Sequence, residues 1–176
     1  MSVFFRAAVL AAALICPPVF AADGPAHVGK YDSTPEDIAA INKVVQDFQT
    51  ALKTKDVKLL SSLMLNSNIL WASPANPEGI AKVRETIDVN FDGLSPITGY
   101  PDFAEFIKTE KQMVEERFYN VRITQDRHIA FVLFDFDFRI GDKVINHGLE
   151  AWQMLKVADN KWKIVSVYWS SKGKPK

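Results

Sequence analysis

Apolar residues recur at intervals of three and four in the first half of this chain and at intervals of two in the second. Ile38, Ile41, Val45, Phe48 and Leu52 make one stripe across Ile38 to Lys53, which predicts an amphipathic helix that packs on something. Thr34-Pro35-Glu36-Asp37 starts it: Thr34 can cap, Pro35 suits the first helical position, and the two acids favour the positive end of the helix dipole. Asp56 can cap a second, shorter helix through Leu65, apolar enough at Leu59, Leu60, Leu63 and Met64 to be largely buried. Asn68 to Ser73 reads as a short strand that Pro74 and Pro77 terminate. From Ala75 to Gly99 the signals conflict, with a helix over Gly79 to Asn90 against a loop at Gly93-Leu94-Ser95-Pro96, so this stretch is an insertion or lid candidate. Tyr100-Pro101-Asp102 opens another helix running to about Met113.

The period then changes to two and stays there. Val114 to Thr124, His128 to Ile140, Val144 to Val157 and Trp162 to Ser170 are four strands, joined by short polar links that suit antiparallel hairpins. Helices first and a meander of long strands afterwards is an α+β layout, with N-terminal helices packed on one face of a curved antiparallel sheet. Asp135, Asp137 and Arg139 share one face of their strand, opposite Phe134, Phe136 and Phe138. Two carboxylates with an arginine could position and activate a water; the plainer alternative is a solvated strand end in which Arg139 pairs its neighbours and the phenylalanines face the core.

The N-terminus changes the picture of where this domain works. Met1 to Ala21 has a short n-region with Arg6, an apolar run from Ala7 to Ile15 and small residues before Asp23, the layout of a cleavable signal peptide cut after Ala21 or Ala22. Its apolar run is about half the length of a membrane span and is interrupted at Pro17-Pro18, which argues against an anchor. The expectation is a secreted or periplasmic protein. Cleavage removes Cys16, so the mature chain of about 155 residues has no disulfide, thiol nucleophile or thiolate metal ligand. It divides into a linker over 22–33, a single domain over 34–171 and a basic, frayed tail over 172–176. With Arg6 gone, 20 basic side chains face 21 acidic ones, so no basic excess draws nucleic acid or anionic lipid.

Gly148-Leu149-Glu150-Ala151-Trp152, a short turn, then Trp162-Lys163-Ile164-Val165 and Val167-Tyr168-Trp169-Ser170 resemble the last two strands of the nuclear transport factor 2-like (NTF2-like) superfamily, in its SnoaL-like and ketosteroid isomerase-like branches. The order of helices and strands extends the likeness across nearly the whole mature chain. The resemblance implies a cone-shaped, cystatin-like domain whose helices and concave sheet enclose a pocket. It places the Tyr168 face of the last strand toward that pocket, with Glu150 and Trp152 inward on the neighbouring strand.

Fold alone does not fix function, so the candidates rest on residue chemistry. Glu150, in an apolar pocket beside Trp152 and Tyr168, would have the raised pKa that a general acid or base needs; its plainer reading is a rim glutamate paired with a base. Tyr168 is the hydrogen-bond donor in the enzymatic version. Trp71, Tyr119, Trp152, Asp135, Asp137 and Arg139 complete the candidate ligand-binding set, although each tyrosine reads more readily as a core residue with a satisfied hydroxyl. Ketosteroid isomerase chemistry itself does not carry over: the first strand offers Asn68 and Trp71 without a carboxylate, and Phe48 stands where that mechanism needs a tyrosine. His27, His128 and His147 do not converge at metal spacing, and no phosphate loop or nucleophile elbow is present, so neither metal nor cofactor is expected. The apolar second sheet face, with Val165, Val167, Trp169, Phe131 and Leu133, calls for a cover and predicts a homodimer through the sheet. The leading expectation is an exported pocket protein for a small, largely apolar molecule, with or without cofactor-free isomerase, dehydratase or hydrolase chemistry. The alternative is a non-catalytic protein-interaction module that uses the aromatic sheet face.

Overall fold

Thr34 and Pro35 open the first helix as expected: the Thr34 hydroxyl accepts from the Asp37 amide at 3.1 Å, and the helix runs Pro35–Thr54 (α1) in the computed structural model. The structure describes residues 24–94 and 99–175; the expected signal peptide over 1–21 lies outside them. The chain divides into Met1–Lys30, whose described part is a turn closed by Val28 N donating to Pro25 O, and Tyr31–Lys176, which holds every element named below. Lys55 ends α1 in the left-handed conformation (φ 56°), and Asp56 caps Val57–Leu63 (α2) through the Leu59 amide. The remaining elements are Leu70–Ala72 (β1), Pro77–Thr86 (α3), Tyr100–Thr109 (α4), Val114–Asp126 (β2), Ile129–Ile140 (β3), Lys143–Lys156 (β4) and Trp162–Trp169 (β5).

The sheet order is β1-β5-β4-β3-β2. Strands β2 to β5 form the antiparallel meander expected from their period and short turns, with Arg127 and Gly141 at positive φ in the two tight hairpin turns. β1 departs from an all-antiparallel sheet by pairing parallel to β5, Trp71 opposite Val167. Two helices separate β1 from β2, so no hairpin constrains its direction.

α1 lays Ile41, Val45, Phe48 and Leu52 on the concave face, where they meet Val132, Phe134, Trp152 and Ile164. Burying each such side chain contributes about 1.5–3 kcal/mol, which is how a domain without disulfides is held. Three bulges bend the sheet: at Asn120-Val121 of β2, at Ile145 of β4 and at Val165 of β5, each placing one extra residue against its partner strand.

Three segments differ from expectation. The 75–99 stretch carries α3, shorter than Gly79 to Asn90, and then turns back so that Ala75 N donates to Gly93 O at 2.7 Å and Pro74 bridges Leu94. None of α3 is buried, in line with its weak apolar stripe. The start of the basic tail is held rather than frayed: Lys172 N donates to His147 O, and Gly173 N to the Asn146 side-chain oxygen. At the other end, Asp32 and Ser33 of the expected linker are pinned by Arg127 and Gln125 near the β2–β3 turn.

Candidate functional site

The concave face is not filled along its whole length. Toward one end of β2, β3 and β4 the helices stand off and leave a cavity of about 550 Å³. β3 contributes Phe136 and Phe138, the phenylalanine face that alternates with its acidic one. α1 contributes Phe48, and α4 closes the side with Phe103 and Phe106. Trp71 from β1 and Trp169 from β5 pack edge to face at 5.9 Å and form the remaining wall.

Polar groups ring this apolar space at one end. Ser73 and Asn76 come from the segment entering α3, and Asn146 and Ser171 from β4 and the tail. The Asn146 side-chain oxygen accepts from Ser171 Oγ and Gly173 N, both at 3.0 Å, and so ties the tail across the cavity. Gly148 makes that crossing possible: a Cβ there would lie 2.3 Å from Ser170 O.

Two carboxyl groups face the cavity from opposite sides of β3. Glu116 sits on β2 between Val114 and Phe118, and Glu150 on β4 between Gly148 and Trp152; they are 5% and 4% exposed. Their carboxyl groups are close enough to act on one another's ionisation. Glu150 Oε1 also accepts from Trp152 Nε1 at 2.6 Å. Trp152 is itself locked, fully buried between Phe48, Phe118 and Phe134.

Burial pushes the Glu150 carboxyl up to about 7, against the opposing pull of hydrogen bonds from Trp152 and Glu116. Burial and then the Glu150 charge hold Glu116 well above the usual carboxylate range. Near neutral pH the pair therefore holds one proton firmly and a second in balance. A neutral carboxyl beside a carboxylate can give a proton at one atom and take one at another.

No protein-family model matches the chain, and no curated protein matches it significantly. Solved structures do. A protein of unknown function from Shewanella baltica aligns at a TM-score of 0.56 with 16% identity, covering 82% of this chain and 100% of its own, and is described as NTF2-like. A protein from Novosphingobium aromaticivorans, provisionally named a scytalone dehydratase, aligns at 0.54 with 18% identity over 78% of this chain and 85% of its own. One of unknown function from Nostoc punctiforme, with a cystatin-like fold, aligns at 0.53 with 13% identity over 79% and 93%. The chain has the NTF2-like fold. At these identities the likeness speaks for the fold alone.

Within this NTF2-like cone the expected site residues separate into two groups. Trp71 and Glu150 line the cavity, and Trp152 faces the same way but stands behind Glu150. Tyr168 does not face the pocket as expected: it is 40% exposed on the outer face, and Trp169 takes its place inside. The cause is the bulge at Val165, which reverses the alternation so that Trp162 and Ile164 point inward before it and Val167 and Trp169 after it.

The other group lies outside the cavity. Tyr119 is 44% exposed and donates to Asp137 at 3.3 Å; Asp135 accepts from Asn120 at 2.8 Å. Arg139 donates to Asp142 O and lies beside Glu115. These four form a hydrogen-bonded outer strand surface, with Phe134, Phe136 and Phe138 turned inward as the plainer alternative has it.

Glu116 was not among the candidates. The signal was present, because strict alternation through Val114-Glu115-Glu116-Arg117-Phe118 puts one carboxylate on the apolar face. Two adjacent glutamates followed by an arginine read more readily as a charged surface.

Proposed function

We propose that this chain is an exported pocket protein that binds one small, largely apolar molecule in the NTF2-like cavity, with the Glu116–Glu150 pair as its chemical feature. The observation that carries the reading is the open aromatic cavity with two buried carboxyl groups in its wall. Phe48 and Trp71 line this space without plugging it, which favours a pocket over a filled core. Its volume lies in the range of small-molecule sites, about 300–1,000 Å³. Where the bound molecule is turned over, Glu150 takes or returns the proton and Glu116 is the donor, a role expected of Tyr168 from the sequence; such chemistry needs no cofactor. The provisional name of the Novosphingobium protein, a dehydratase, fits proton chemistry of this kind.

Native mass spectrometry of the protein purified from its host tests the binding. A bound small molecule released on unfolding is expected; the bare chain mass, together with no fluorescence response to small hydrophobic probes, overturns the reading. Turnover of that molecule unchanged in Glu150→Gln removes the enzymatic version. Export through Met1–Ala21 predicts that the protein recovered outside the cytoplasm begins at Ala22 or Asp23, readable from its intact mass.

A homodimer through the sheet belongs to the same proposal. Ile129, Phe131, Leu149, Leu155 and Tyr168 are large, exposed and on the outer side, more apolar surface than a solvated sheet face usually shows. Light scattering that finds monomer at micromolar concentration argues against the dimer and leaves that face to another protein.

A further inference from the structure

The cavity, among the described residues, pairs acids with aromatic rings and supplies no cation. Among the described residues lining it, seven side chains are aromatic and two are glutamates, and none is lysine, arginine or histidine. The Glu116 carboxyl accepts no hydrogen bond from an N–H of the described residues, Gln49 Nε2 donating instead to the Glu116 backbone oxygen at 2.8 Å; the side chain that acts on its ionisation is Glu150. The charged groups nearest in sequence are engaged elsewhere. Arg117, Lys53 and Arg139 gather around Glu115, on the opposite side of β2 from Glu116. Around the pair itself, α1 presents Phe48 and β3 presents Phe136 and Phe138. β4 presents Trp152 and β5 presents Trp169, which lies opposite Glu150 in the strand register. None of these titrates.

A buried acid pair with no counterion is costly unless something neutralises it. Aromatic faces carry negative potential, so they attract a cation and repel an anion at the same depth. A carboxylate ligand would meet two acids, and a neutral ligand would leave the pair's charge uncompensated. An ammonium group would place its N–H donors on the free lone pairs of both carboxyl groups while its apolar body lies among the rings.

We propose that the ligand carries a primary or secondary ammonium on an apolar body, with the nitrogen seated at Glu116 and Glu150 and the rest among Phe103, Phe106, Phe138 and Trp169. This rests on the pocket reading and names its ligand class. Binding is then linked to loss of a proton from the pair, so affinity rises with pH through the range in which Glu150 ionises.

Three ligands with one body test it: 3-phenylpropylamine, 3-phenylpropan-1-ol and 3-phenylpropanoate, titrated calorimetrically into the purified protein. At about pH 8 the amine is expected to bind at least about tenfold tighter than the alcohol, and the carboxylate weakest. Lowering the pH to about 5.5 should cut the amine's advantage about tenfold or more, because the pair is then fully protonated. Combining Glu116→Gln with Glu150→Gln should abolish the advantage while alcohol binding persists, which also reports that the variant is folded. An alcohol as tight as the amine at the higher pH overturns the inference and leaves the pocket reading standing. An amine preference that survives the paired substitution also overturns it. Failure of both amine and alcohol to bind the unmodified protein overturns the pocket reading itself. If the variant does not fold, the pH dependence of the unmodified protein decides alone, and a pH-independent preference counts against the inference.

Discussion

Two carboxylates in this molecule each accept a hydrogen bond from a tryptophan indole, and they are put to opposite uses. Asp37, in the first turn of α1, accepts from Trp162 Nε1 at 3.2 Å and has Lys156 Nζ at 2.7 Å. Glu150 accepts from Trp152 Nε1 at 2.6 Å and has another acid beside it. The Lys156 and Trp162 hydrogen bonds outweigh burial at Asp37 and hold it below its usual range, whereas burial dominates at Glu150 and raises it. The first site is complete and ties the start of α1 to the adjoining ends of β4 and β5. The second is left electrically incomplete at the wall of a cavity, as binding and proton-transfer sites often are.

Removing each acid should break the symmetry of that comparison most strongly. Asp37→Ala leaves Lys156 and the Trp162 indole without their partner and is expected to cost about 2–3 kcal/mol in denaturant unfolding. Glu150→Gln removes a charge that has no counterion; at about pH 8 it should leave stability unchanged or raise it by about 1 kcal/mol. Equal losses at the two positions would mean that Glu150 is a structural group like Asp37.

Gly148→Ala sharpens the same contrast from the cavity side. The added Cβ would stand 2.3 Å from Ser170 O, a backbone atom, so the end of β5 or the tail must move. The expected cost is about 2 kcal/mol, in the range for overpacking. Ligand affinity should change with it, because Ser171 and Gly173 line the cavity. A stable variant with unaltered affinity would show that the tail can leave without consequence.

The two regions also give opposite pH dependence. Glu150 titrates at about 7 when folded and near 4.5 when unfolded, so the folded state binds more protons between those values. Its contribution to stability is complete below the lower value and is lost as pH rises through the upper one. Asp37 is lowered from 3.8, so its contribution is present above that value and is lost as pH falls below it. Thermal melts should therefore show Tm rising from about pH 8 to about pH 5.5 and falling again below about pH 4. Glu150→Gln should make the upper limb shallower, the buried Glu116 keeping part of it, and leave the lower one. A Tm that climbs steadily toward pH 8 would contradict the protonated pair.

Most of this was legible along the chain where one period held without interruption. The helix α1, its Thr34 cap and the four long strands follow from spacing; Glu150, Trp152 and Met154 alternate without a break and so share one face of β4, and the resemblance turned that face inward. Tyr168 was misplaced because alternation was carried across Val165, and a bulge leaves no mark in a run of apolar residues. Asp37 showed itself as a helix-start acid, but its partners lie more than a hundred residues away, so the ion pair with Lys156 could not be read. Glu116 likewise gains its meaning from Glu150, which the sheet brings close from two strands over.

The smallest effect is expected where charge is most conspicuous in the sequence. Asp135 and Asp137 alternate on β3 like an active-site pair, yet they bond to Asn120 and Tyr119 on the outer surface, in contact with water. Replacing both by asparagine keeps most of that hydrogen bonding and removes charges that solvent already screens, so stability should change by no more than about 0.5 kcal/mol. Cavity affinity should not change, since β3 separates these groups from the site and the phenylalanines fill its inner face. A marked loss of ligand binding in Asp135→Asn with Asp137→Asn would mean that the outer surface, with its hydrogen-bonded acids, carries function that the comparison with Glu150 assigns to the cavity.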